Sequence, residues 1–158
     1  MRKLLPSTIC LLVAIAGCAP RLGRMKASQR SERLAVERGN LVDLADPLAR
    51  TRSYITISDI LLSFVADAAR ARDSDGLNVL LDQYLTAIRA ARDTMVESGR
   101  GAKRQPEGYR ALERAMRGQT RLLQEIGVQL LAVERQRVQS ARDVAASVQK
   151  EMLGLLSP

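Results

Sequence analysis

Arg110, Arg114, Arg117 and Arg121 recur at spacings of four, three and four residues. On a helix that spacing places all four guanidinium groups on one face. Arg100, Lys103 and Arg104 lie just upstream, so residues 100–121 carry seven basic and two acidic groups. Such a ridge suits an anionic partner, either lipid headgroups or an acidic protein. The competing reading is a solvated face, its charge met by Asp59, Asp67, Asp82 and Asp93 on neighbouring helices. Glu125, four residues after Arg121, would add to that pairing. The remaining chemical inventory is thin. The chain has no His, no Trp and two Cys. Imidazole acid–base chemistry is absent and a thiol nucleophile has little material. The Glu-x-x-His pairs of di-metal bundles cannot be formed, and zinc lacks its usual ligands. Gly99-Arg100-Gly101 lacks the spacing of a phosphate-binding loop. No catalytic residue, metal site or cofactor is therefore expected. Nucleic acid is not expected either, because aromatic residues, on which bases stack, make up only 3% of the chain.

These arginines need helices to hold them, and the sequence is rich in helix formers. Hydrophobic residues are 46% of the chain, with one Phe and three Tyr. Asp46-Pro47 reads as an N-cap followed by a first helical position. From there to Asp73, Tyr54, Ile57, Leu61, Phe64, Ala68 and Ala71 form an apolar stripe. Arg52, Thr56, Asp59, Ser63, Asp67 and Arg70 form a narrow polar ridge opposite. Asp73-Ser74-Asp75-Gly76 is a turn and a cap. The next helix runs to about Ser98, with Leu77, Leu81, Tyr84, Ile88, Ala91 and Met95 on one face. Gly99 is placed to end it.

Pro106-Glu107 starts the last helix. Its stripe runs Tyr109, Leu112, Met116, Gln119, Leu123, Ile126, Leu130 and Val133. It then drifts into Val138, Ala141, Ala145, Val148 and Met152. Unbroken, this helix would span about 70 Å. Gly118 and Gly127 mark points of close packing or bending. A weaker helix, with sparse apolar positions such as Leu34 and Leu41, precedes Asp46. The fold class expected is all-α: an antiparallel up-down helical bundle of three strong helices, a weaker N-terminal one and a long C-terminal helix. The half-helix from Leu130 to Met152 is expected to overhang or to pack on that first helix. If it overhangs, it offers a face for self-association or for another protein. A bundle that binds a small apolar or anionic ligand between its helices is the alternative reading.

The two cysteines lie near the N-terminus. Met1-Arg2-Lys3 is basic, Ile9 to Ala16 is apolar, and small residues follow. A basic start, a short apolar run and a small-residue site describe an export signal. The run is too short to span a bilayer. Ile15-Ala16-Gly17-Cys18 resembles the lipobox of bacterial lipoproteins, and the resemblance covers residues 1–19 only. It implies a diacylglycerol thioether on Cys18, cleavage before Cys18, and often acylation of the new amine. Thiolate nucleophilicity suits Cys18 to that modification. Cys10 would leave with the signal. Ala19, rather than Asp, implies the outer membrane facing the periplasm, or the outer face of the cytoplasmic membrane in a single-membrane cell. The expected organisation is a signal peptide at 1–17, a lipidated Cys and basic tether at 18–30, and a bundle at 31–158. The function expected is a membrane-anchored, non-enzymatic structural or protein-interaction module.

Overall fold

The structure is a computed structural model that describes residues 25–157. The lipobox and Cys18 lie outside the described residues. Within them the regular structure is helical: α1 (Ala27–Asn40), α2 (Pro47–Ala71), α3 (Ser74–Glu97), α4 (Glu107–Val128) and α5 (Ala132–Leu156).

Local chemistry sets most of the boundaries. The Asp46 carboxylate accepts from the Ala49 amide at 2.9 Å, and Pro47 takes the first helical position of α2. Asp73 accepts from the Gly76 amide at 2.9 Å and caps α3. Each cap satisfies an otherwise orphaned helix-start donor, worth about 1 kcal/mol. Gly99, at φ 68°, takes the left-handed conformation just past α3. Arg72 takes the same conformation between α2 and α3 with a side chain attached, at φ 56°.

The core lies between α2, α3, α4 and α5. Ile60, Leu61, Leu62, Leu81, Tyr84, Ile88, Met95, Leu112, Met116, Leu123 and Met152 are fully buried there. Each large apolar side chain removed from water contributes about 1.5–3 kcal/mol. Truncating one such as Leu112 to Ala would cost roughly 2–5 kcal/mol. α2 packs chiefly on α3 and α4 chiefly on α5, with further contact of α2 on α4 and α3 on α5.

Residues 107–156 form two helices, where the apolar pattern leads one to expect a single long one. The pattern loses register between Leu130, which is buried, and Val138, which is also buried. Val133, where the stripe should continue, is 78% exposed. The chain turns at 129–131 instead. Arg135 donates to the carbonyls of Gly127 and Leu130, at 3.2 and 2.8 Å, satisfying the end of α4. Gly127 sits close to the returning helix, for a Cβ there would stand 3.6 Å from Val138 Cγ1. Gly118 has nothing near it and packs nowhere closely. Val138, Ala141, Ala145, Val148 and Met152 are buried as their spacing implies. The helix that carries them packs on α4 and α3, however, not on α1.

α1 is held differently. It begins at Ala27, and the residue it buries is Arg30. Arg30 Nη1 donates to Ser63 Oγ at 2.8 Å, and Nη2 reaches the Asp67 carboxylate. The guanidinium carbon stands 4.8 Å from the centroid of the Phe64 ring. Ser53 Oγ donates to the Glu37 carboxylate at 2.6 Å, and Arg38 Nη2 to Gln83 Oε1 at 2.8 Å. Leu34 and Leu41 add partial apolar contact. The polar ridge of α2 at Ser63 and Asp67 is thus the seat of α1, which explains how a helix of low apolar content docks at all.

Candidate functional site

Arg110, Arg114, Arg117 and Arg121 are all exposed along α4. Tyr109, Leu112, Met116, Gln119 and Leu123 face the core from the same helix. The 100–106 loop that precedes the ridge is pinned from beneath. Tyr109 Oη lies 2.6 Å from the Arg100 carbonyl and 3.0 Å from the Met95 carbonyl. Gly108 permits this approach: a Cβ there would stand 2.4 Å from Met95 Sδ and 3.3 Å from Leu48 Cδ1.

The ridge is not chemically uniform. Arg117 donates from Nη2 to Glu113 Oε1 at 2.6 Å, and Glu113 is buried. Gln149 of α5 donates to the same oxygen at 3.1 Å. Burial pushes the Glu113 carboxyl up, but the hydrogen bonds from Arg117 and Gln149 outweigh it and hold the group below its ordinary range. Arg117 therefore belongs to the structure. Among the described residues no carboxylate pairs with Arg110, Arg114 or Arg121.

The acids expected to neutralise the ridge are engaged elsewhere. Asp67 pairs with Arg30 and Arg70, Asp82 with Arg137, and Asp93 with Arg92. Asp59 accepts from Gln119 Nε2 at 2.8 Å. Arg92 also forks onto Glu151 of α5, with contacts of 2.7 to 3.2 Å. Of the upstream cations, Arg100 donates to Asp46 at 2.7 Å, while Lys103 and Arg104 are exposed.

The apolar stripe of α4 carries one buried polar side chain. Gln119 sits in the apolar stripe of α4 and donates to Ser58 Oγ at 2.7 Å as well as to Asp59. Burial pushes the Asp59 carboxyl up, against the lowering effects of Gln119 and Arg33. Burial, then the charge of Asp59, also pushes the Tyr84 phenol up. The signal available in the sequence was a polar residue at a core position of the heptad.

Two surface recesses flank α2. One of about 490 Å³ lies between α1 and α2, against Glu37, Asn40, Asp43, Arg52, Ser53 and Thr56. One of about 460 Å³ is more apolar, with Leu34, Leu61, Phe64, Ala68 and Leu80 along it. Among the described residues no three acids, Cys or His cluster as metal ligands would, and no helix is long and apolar enough to cross a membrane. No family model, curated protein or solved structure matches the chain.

Proposed function

We propose that this chain is a lipid-anchored cell-envelope protein, a non-enzymatic structural or protein-interaction module on the periplasmic side of the outer membrane. The observation that carries the reading is Ile15-Ala16-Gly17-Cys18, whose resemblance to a lipobox makes Cys18 the first mature residue and the anchor. Two or more acyl chains on one residue hold a protein at a membrane, where one binds only marginally.

The module is an up-down-up-down bundle of α2 to α5, with α1 strapped across α2. The contacts between helices support that order. Ser74 with Glu134, Asp82 with Arg137 and Arg92 with Glu151 ascend together along α3 and α5. Arg52 with Glu107 and Asp59 with Gln119 ascend together along α2 and α4. Glu113 with Gln149 and Gly127 with Arg135 run in opposite senses along α4 and α5.

The interaction face is the α4 ridge, reduced to Arg110, Arg114 and Arg121 by the commitment of Arg117. Its partner is an acidic protein surface. Arg110 lies 18 residues before Val128 on α4, about 27 Å along the axis. The start of the ridge is thus a bundle's length from the end at which α1 begins. Two experiments test these readings. Cys18→Ala should abolish lipidation and leave an uncleaved precursor; a variant still retained and cleaved after Gly17 refutes the anchor. Crosslinking in membranes should capture an acidic protein with the wild type and lose it when Arg110, Arg114 and Arg121 are all changed to Gln. Unchanged capture refutes the ridge.

A further inference from the structure

Three apolar side chains stand out at one turn. Val128 and Leu131 are each 75% exposed and Val133 is 78% exposed, all within six residues at the junction of α4 and α5. The core-facing positions here are Leu130, between Val128 and Leu131, and Val138, beyond Val133; both are buried. Several backbone groups of this turn are already bonded. Arg135 takes the carbonyls of Gly127 and Leu130, and Glu134 accepts from the Leu131 amide at 3.3 Å. Leu130 and Gln129 donate back to Gly127 and Ile126. A turn bonded in this way can enter a less polar medium without stranding those groups.

Its place in the fold says what the medium is. Ser74, the first residue of α3, touches Glu134 in the first turn of α5. α3 follows α2 through Arg72 and Asp73. Arg30, in the first turn of α1, bonds Ser63 and Asp67 in the last third of α2. The α4–α5 turn, the α2–α3 turn and the start of α1 therefore share one end of the molecule. Cys18 is seven residues before Met25, a reach of about 25 Å at most. The opposite end, at the start of α4, lies about 33 Å further along that 22-residue helix. Charge among the described residues at the shared end is close to balanced, with Lys26, Arg30, Arg70, Arg72 and Arg135 beside Asp67, Asp73, Asp75 and Glu134. Attraction of that end of the bundle to a membrane therefore draws on the apolar side chains.

We infer that Val128, Leu131 and Val133 form an apolar knuckle that inserts into the surface of the bilayer carrying the anchor. The inference rests on the lipid anchor proposed above and adds an orientation to it. The bundle stands on the membrane on this knuckle, with the Arg110 end of the ridge directed away toward its acidic partner.

The chain has no Trp, so one introduced indole reports its own surroundings. The mature full chain carrying Leu131→Trp is placed in vesicles of phosphatidylethanolamine and phosphatidylglycerol, with and without brominated acyl chains. Val96→Trp, near the end of α3 remote from the knuckle, is the control. Val133→Trp stands in if Leu131→Trp loses helicity. Mass spectrometry of the same samples reports the lipid on Cys18. A lipidated Leu131→Trp chain should show blue-shifted emission and roughly twofold or greater quenching by bromine, with the Val96→Trp chain unquenched. A lipidated chain with no bromine quenching of the Leu131→Trp indole overturns the knuckle and leaves the anchor standing. Blue-shifted emission without quenching also overturns it, since a second copy or another protein then covers the turn. An unlipidated chain overturns the anchor and the inference with it.

Discussion

Gln149 Nε2 donates to Glu113 Oε1 across 3.1 Å, although 36 residues separate them in the chain. A continuous helix would hold those positions about 54 Å apart. Their contact is the consequence of the turn at 129–131, and it brings α4 and α5 together so that their buried faces join one core. Spin labels on the exposed neighbours Arg114 and Lys150, in a chain with Cys10 and Cys18 replaced, measure the difference. We expect a distance below about 25 Å, given helices packed 8–10 Å apart plus the label arms. A distance near 50 Å would restore the single long helix.

The same carboxylate divides the arginine ridge. Arg117→Gln leaves the buried Glu113 with Gln149 as its remaining partner, so a loss of about 1 kcal/mol is expected, moderated by the exposure of Arg117. Arg110→Gln, Arg114→Gln and Arg121→Gln should each stay within about 0.5 kcal/mol of the wild type. The pH dependence follows from the lowered pKa of Glu113. A carboxyl held lower in the folded state stabilises fully above its unfolded value and loses that contribution as pH falls through the folded value. The gap between wild type and Arg117→Gln should therefore be widest near neutrality and close in acid. Urea melts across that range read it, and equal costs for all four arginines would contradict the division.

Asp59 works in the opposite sense. Burial raises its pKa above the ordinary carboxylate value, so folding disfavours its ionised form. That penalty is absent where both states are protonated and complete once both are ionised. Asp59→Asn keeps a carbonyl to accept from Gln119 Nε2 and removes the charge. The variant should be more stable than wild type at about pH 7, with the advantage vanishing by about pH 3. An Asn variant less stable at neutral pH would mean that the charge of Asp59, set near Arg33, outweighs its burial.

Most of the helix starts could be read directly, because caps are local. Asp46-Pro47, Asp73 through Gly76, Gly99 and Pro106-Glu107 each announce a boundary within a few residues. The buried faces of α2, α3 and α4 follow from spacing for the same reason. The break before Ala132 was legible only as a bend at Gly127, one residue before the end of α4. Neither Gly nor Pro occupies 128–131, and the clue was a slip in register from Leu130 to Val138. The value of Arg117 depends on Glu113 being buried under α5, which local pattern cannot show. The docking of α1 was also invisible to hydrophobic periodicity, since it rests on a cation, a hydroxyl and a carboxylate contributed by two helices.

That docking should be separable from the rest of the fold. α1 contributes no fully buried apolar side chain; the buried apolar side chains come from α2 to α5 and the segments between them. Its main tie is Arg30, whose side chain is 9% exposed against 36% for Asp67. Replacing Arg30 with Ala removes the bonds to Ser63 and Asp67 and the contact over Phe64. A hydrogen bond to a charged group contributes roughly 1.5–3 kcal/mol, and the half-open Asp67 places the loss toward the lower end. That is enough to free a short helix of low apolar content and too little to unfold a closed bundle. Amide exchange should therefore accelerate by roughly tenfold or more across residues 27–40, while the buried segments of α2 to α5 keep their protection. Arg30→Lys should restore part of the protection in α1, because a charge remains for Asp67 while the fork to Ser63 is lost. Uniform acceleration over all five helices would show instead that α1 is an integral member of one cooperative unit. Unchanged exchange in α1 would show that Leu34, Leu41 and the Glu37–Ser53 bond hold it without Arg30.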